Sequence, residues 1–176
     1  MYRSGFVSII GRPNVGKSTF LNRIVGEKAA IVSDKPQTTR NQIRAILTDE
    51  EHQIIFIDTP GIHKPKHRLG DYMVRSARST LNEVEVVLFL VEAQYPPGRG
   101  DIYISRWLKD VDTPVFLVLN KKDCISPARC EEHLVLYREL YAFDGEYMIS
   151  ALHGENIDPL LKDIIGYMPE GPRYYP

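Results

Sequence analysis

Cysteine is scarce: the 176 residues contain two, Cys124 and Cys130, with five residues between them. Two are too few for a disulfide framework, and a lone C-x5-C lacks the second pair that would complete a zinc site. Long apolar runs are missing as well, since no stretch approaches the roughly eighteen residues needed to cross a bilayer. Excess charge of either sign is absent: 22 Lys and Arg stand against 23 Asp and Glu, a net charge of -1. No global positive field therefore marks the chain as a nucleic-acid binder, and any such contact must come from a local patch or another part. There is no internal repeat and no low-complexity tract. The opening "MYRSGFVSII" carries an Arg and a short apolar run but no small-residue cleavage site, so it reads as a first strand and not a signal peptide. Two reduced thiols with no leader and no span point to the cytoplasm.

What is present suffices for one core. With 43% hydrophobic and 26% charged residues, the chain has the size and composition of a single globular domain. That domain is expected over 1–168, and residues 169–176, rich in Pro, Gly and Tyr, read as the start of a linker. Apolar, β-branched runs of strand length occur at 6–10, 42–47, 52–57, 86–91, 114–119 and 147–149. Helix-period segments lie between most of them, at 17–26, about 69–82, 99–110, 127–142 and 156–166. Such alternation predicts an α/β fold with a six-stranded, mostly parallel sheet and helices on both faces. The fully apolar "VVLFLV" and "PVFLVL" suit central strands, while 42–57 suits an antiparallel hairpin at an edge. Two long polar connections, 27–41 and 61–69, are of a length that is usually functional or mobile.

Between the first strand and first helix lies "GRPNVGKST": Gly11, Arg12, Pro13, Asn14, Val15, Gly16, Lys17, Ser18 and Thr19. This is G-x4-GK[ST] in the strand-loop-helix setting that gives the pattern meaning. Glycines let successive backbone N–H groups turn inward, and the helix beginning near Lys17 adds the positive end of its dipole. Lys17 would reach the β- and γ-phosphates of a nucleotide, and the Ser18 hydroxyl would ligate Mg²⁺. A magnesium site needs an acid at the end of a buried strand, and "IIFIDTPG" supplies Asp58, followed by Thr59, Pro60 and Gly61, whose N–H would meet the γ-phosphate.

The base is read from "FLVLNKKD". The Asp123 carboxylate can accept both N1–H and N2–H of guanine, a bidentate contact that adenine cannot make. Such a site rejects the analogue lacking those donors by roughly 10⁴-fold, because the carboxylate is left unpaired. Asn120 would tie this loop to the phosphate loop, and the Lys121 stem would cover the base. After the last strand, Ser150, Ala151 and Leu152 form a short loop whose Ala151 N–H would donate to guanine O6.

GRPNVGKST, QTTRN, DTPG, NKKD and ISA, in this order at strand ends, resemble a Ras-like P-loop GTPase of the translation-factor-related class. More narrowly, "GRPNVGKSTFLN", "KPQTTRNQI", "DTPGIHKP" and "PEGPRYYP" resemble the bacterial Era family over the whole chain. The resemblance implies GTP and GDP as ligands, hydrolysis with Mg²⁺, and a switch that senses the γ-phosphate. It also implies small-subunit (30S) ribosome assembly, with 16S rRNA contacted through a C-terminal KH-type domain for which this chain offers no GXXG clamp. A monomer is expected, with peripheral association at the inner membrane face admitted.

The first switch would be Gln37, Thr38, Thr39, Arg40 and Asn41. Either threonine could cap Mg²⁺ when the γ-phosphate is present, and the resemblance favours Thr39. Many Ras-like proteins place a water-orienting Gln after the DxxG glycine. Here that position is Ile62, which can neither orient nor polarise water, so slow intrinsic hydrolysis is expected. Asn14 has two readings: a residue that only stabilises the loop or, as in related GTPases, a ligand of K⁺ acting where an arginine finger would. "HKPKHR", 63–68, reads first as a solvated face and second as a nucleotide-sensitive RNA contact. The rival readings are a related ribosome-assembly or tRNA-modification GTPase, a P-loop kinase or ATPase, and a nucleotide-gated scaffold that barely turns over.

Overall fold

A strand whose every position is apolar must be covered on both faces, and the two most apolar runs, 86–91 and 114–119, lie inside the sheet and not at its edges. In the computed structural model, residues 1–27, 30–31, 42–58 and 80–176 are described. The strands are β1 (Arg3–Ile10), β2 (Ala30–Ile31), β3 (Gln42–Thr48), β4 (His52–Asp58), β5 (Val86–Glu92), β6 (Val115–Asn120) and β7 (Gly145–Met148). The helices are α1 (Lys17–Glu27), α2 (Arg99–Trp107), α3 (Pro127–Arg138) and α4 (Ile157–Gly166). The sheet order is β2-β3-β4-β1-β5-β6-β7. Pairing is parallel from β4 through β7 and antiparallel at β2, β3 and β4.

All six expected strand runs are strands. The seventh, β2, has two residues, too short for any periodicity to reveal, and it lies outside β3. The hairpin of 42–57 forms as expected, but only β3 approaches the edge; β4 is interior, paired along its length with β1.

Period-2 alternation sorts each central strand onto two faces. Val87, Phe89 and Val91 of β5, with Val115, Leu117 and Leu119 of β6, meet Ile104 and Trp107 of α2 and Leu134 and Tyr137 of α3. On the other face Val86, Leu88 and Leu90, with Phe116 and Val118, meet Phe20 and Ile24 of α1 and Leu160, Leu161 and Ile164 of α4. Phe20 and Phe56 pack edge to face at 6.3 Å between centroids, fixing the first helix against β4. Such a pair contributes about 0.5–1.5 kcal/mol beyond its buried area.

Helix boundaries have local causes. Ser126 caps α3, its hydroxyl accepting the Arg129 N–H at 3.3 Å, and Pro127 takes the first-turn position where no N–H is needed. The helix ends before the expected 142, where Tyr141 and Phe143 turn in with their rings 5.3 Å apart. The last turn expected of the preceding helix is a 3₁₀ turn, Leu108–Asp110. Of the helix expected at 69–82, residues 80–82 are described: 80 and 81 are helical and 82 is in a turn.

The strand order reverses direction at β1 and β5, so the crevice outside their carboxyl ends is where an open α/β sheet binds ligands. The opposite end of β1 is occupied by residues 169–175. Ser4 N–H donates to Pro169 O at 3.1 Å, Gly171 N–H to Tyr2 O at 3.1 Å, and Ser4 Oγ to Pro172 O at 2.6 Å. The buried Gln53 amide exchanges two bonds with the Tyr175 backbone, at 2.9 and 3.1 Å, and the Tyr174 ring lies 5.3 Å from Phe6.

Candidate functional site

The loop after β1 and the first turn of α1 form a cavity of about 340 Å³ lined by Asn14, Gly16, Lys17, Ser18, Thr19 and Lys121. No acidic residue stands in the first turn of α1, so its free N–H groups and dipole are open to an anion. Lys17 Nζ lies 3.4 Å from Gly11 O and 3.9 Å from Asp58 Oδ1, which places the ammonium across the loop mouth toward the end of β4. A second cleft of about 320 Å³, lined by Thr19, Asn22, Arg23, Gly26, Ala151 and Leu152, shares Thr19 with the first.

Gly16 has φ +102, and a Cβ there would stand 2.2 Å from Asn120 Nδ2. Glycine is thus required both by backbone conformation and by the closeness of Asn120. The buried Asn120 amide donates to Val15 O at 3.0 Å and accepts the Ala151 N–H at 3.0 Å, joining the phosphate loop, the NKKD loop and the ISAL loop at one side chain. The Ala151 N–H, expected to donate to guanine O6, donates here to Asn120 Oδ1, and Ala151 lines the second cleft. Arg23 of α1 holds the same loop from the other side, donating to Ala151 O at 3.0 Å and to Leu152 O, while Leu152 itself is exposed.

Asp123 lies two residues after Lys121, whose backbone is left-handed at φ +67. The Ser150 side-chain hydrogen bond, assisted by nearby His153 at 3.4 Å, holds the Asp123 carboxyl below the usual carboxylate range against the opposing effect of burial. An ionised acceptor at this position is what a guanine edge requires. Lys121 Nζ donates to Asn14 O at 3.0 Å and to Glu92 Oε2 at 3.1 Å. Asn14 has φ +69, a conformation asparagine tolerates better than most residues.

Ser18 and Asp58 offer a hydroxyl and a carboxylate, hard oxygen donors of the kind Mg²⁺ takes along with phosphate and water. Among the described residues no group of three or more His, Cys, Asp or Glu could hold a metal by itself. Beside Asp58 stands a residue that sequence reasoning missed. The β3–β4 register shifts between Ile43 and Ala45, and Arg44, the extra residue of that bulge, donates from Nη2 to Asp58 Oδ2 at 3.1 Å. Bulges commonly re-aim a side chain beside a site. Glu92 was missed too, although it ends an apolar strand as Asp58 does. The expected switch residues Gln37, Thr38, Thr39, Arg40 and Asn41, and Thr59, Pro60, Gly61 and Ile62, lie outside the described residues.

Residues 6–121 match the profile of the family described as 50S ribosome-binding GTPase. The chain is 57% identical over 175 residues to GTPase Era of Alkaliphilus metalliredigens, covering 99% of this chain and 59% of that protein. Among solved structures it is similar to an Aquifex aeolicus Era variant bound to GDP·AlF4⁻, with TM-score 0.79, 38% identity, and 99% and 60% of the two chains covered. It is also similar to Era in complex with MgGDPNP and nucleotides 1506–1542 of 16S ribosomal RNA, with TM-score 0.78, 40% identity, and 100% and 60% covered. The chain thus spans 59–60% of the length of these relatives. With residues 6–121 matching its profile, the chain belongs to the 50S ribosome-binding GTPase family, and along its whole length it resembles Era.

Proposed function

We propose that the chain binds guanine nucleotides and hydrolyses GTP to GDP and phosphate as a slow molecular switch. The observation that carries this reading is the single buried side chain of Asn120, which binds the phosphate loop and the loop beside Asp123 together. One rigid unit then fixes the distance between phosphate recognition and base recognition. Lys17 and the N-terminus of α1 stabilise charge on the transferring phosphoryl group, and Asp123 selects guanine. Ser18, Asp58 and Thr39 would hold Mg²⁺, which supplies charge neutralisation at the β- and γ-phosphates. Gly61 N–H and Thr39 sense the γ-phosphate, and its loss releases both connections. Ile62 leaves the attacking water without a polar positioner.

Asn14 is proposed to help hold K⁺ against the phosphates. The test is GTP turnover, followed as phosphate release over hours, in matched potassium and sodium buffers. Faster turnover in potassium is the expected result; equal rates would return Asn14 to a loop-stabilising role, and no release at all would favour a scaffold that barely turns over.

The 16S rRNA in complex with a 40%-identical Era supports a role in small-subunit assembly for this chain as part of a longer protein. In this reading 1–168 is the GTPase domain and 169–176 begins the connection to an RNA-binding domain. The isolated chain would act as a monomer and bind RNA weakly.

A further inference from the structure

We propose that Glu92 is a positioning residue for guanine-nucleotide binding, setting Lys121 over the base from a buried anchor formed by Arg12 and Asp101. This proposal rests on the guanine-nucleotide reading above.

Arg12 belongs to the phosphate loop by sequence, but its side chain runs away from the cavity. Its Nε donates to Asp101 Oδ1 at 2.8 Å and its Nη2 approaches Glu92 Oε1 at 3.4 Å. Asp101 is fully buried, and a buried carboxylate is tolerated only when its oxygens are paired. Here Oδ2 also accepts the Gly98 N–H at 2.9 Å and the Tyr137 hydroxyl at 3.2 Å. The Arg12 stem lies against the first turn of α2, where a Cβ on Gly100 would stand 2.5 Å from Arg12 Cδ. Arg12 is thereby held by α2, whose Asp101 is held in turn by Tyr137 of α3.

Glu92, at the end of β5, has a side chain only 12% exposed. One oxygen faces Arg12 and the other accepts Lys121 Nζ at 3.1 Å. Lys121 closes the circuit by donating to Asn14 O at 3.0 Å. The ring therefore runs from the phosphate loop at Arg12 through Glu92 and Lys121 back to the phosphate loop at Asn14. Lys121 needs such support. Its left-handed backbone is a conformation that costs a non-glycine residue of order 1 kcal/mol or more and persists where surroundings dictate it. Charge-assisted bonds at both acceptors supply that constraint, and the carboxylate between two cations decides where the ammonium stands.

The test measures GDP release from the whole chain after chase with excess nucleotide. Glu92→Gln keeps the shape and removes the charge, and release is expected to rise about tenfold, the effect of losing one charge-assisted bond. In a Lys121→Met background the same substitution is expected to change release by no more than about twofold, because Glu92 then has no ammonium to place. An equal tenfold effect in both backgrounds would make Glu92 merely structural and overturn the proposal, as would unchanged release in the single variant. Should Glu92→Gln fail to fold, Glu92→Asp, shorter by one methylene, carries the same comparison with the same deciding outcomes. A wild-type chain that holds no GDP contradicts the guanine-nucleotide reading itself; GDP held with unaltered release in the variant contradicts this proposal alone.

Discussion

At the scale of single residues, the site depends on a few side chains that each serve two loops. Asn120 is the clearest case, because its amide has one partner in the phosphate loop and one in the ISAL loop. Gly16 exists in part to leave room for it. Gly16→Ala would place a methyl group 2.2 Å from Asn120 Nδ2 on a backbone that an L side chain rarely adopts. The amide must then move, giving up two hydrogen bonds worth about 0.5–1.5 kcal/mol each, with roughly 1 kcal/mol of backbone strain added. GDP affinity measured by calorimetry is expected to fall at least about thirtyfold, while a drop under about threefold would mean that Asn120 does not hold the loops together. Asp123 is prepared differently: Ser150, with His153, lowers its pKa. A lowered pKa keeps the carboxylate charged above its ordinary titration range and some way below it, and base recognition fails only as pH falls through the depressed value.

At the scale of elements, motif residues were legible because they are local. A strand, a glycine-bearing loop and a helix adjoin in sequence, so "GRPNVGKST" announces its conformation. The remainder is written across distance. Arg12 and Asp101 are 89 residues apart, and the Arg44 bulge depends on how β3 registers against β4. A periodicity of two does not say which residue will be the extra one. The same limit explains β2, whose two residues give no pattern. For Ala151, the position in the motif was readable, but the partner of its N–H was not, since a side chain 31 residues away takes it.

At the scale of the whole molecule, the two ends of β1 have separate duties. Gly11 opens the loop proposed to hold the nucleotide at one end, while Ser4 receives residues 169–172 at the other. Seven residues of strand separate them by about 23 Å at the usual rise. Residues 169–176 read as a linker by composition, and their docking was invisible because it pairs Tyr175 with Gln53, 122 positions away. Deleting 169–176 removes the partners of a buried amide and several backbone bonds, a net cost of about 1–3 kcal/mol. Thermal unfolding is expected about 2–4 °C lower per kcal/mol, with GDP affinity unchanged within about twofold. An affinity loss comparable to the Gly16→Ala effect would show that the two poles are coupled.

The central claim is that this domain recognises guanine through Asp123 and phosphate through the loop that Asn120 fixes beside it. It is tested most directly by titrating the same preparation with GTP, GDP and ATP, alongside the Asp123→Asn variant. The account predicts that GTP and GDP bind, that ATP binds roughly 10⁴-fold more weakly, and that Asp123→Asn removes most of this preference. ATP binding as tight as GTP, or a preference that survives Asp123→Asn, would contradict it.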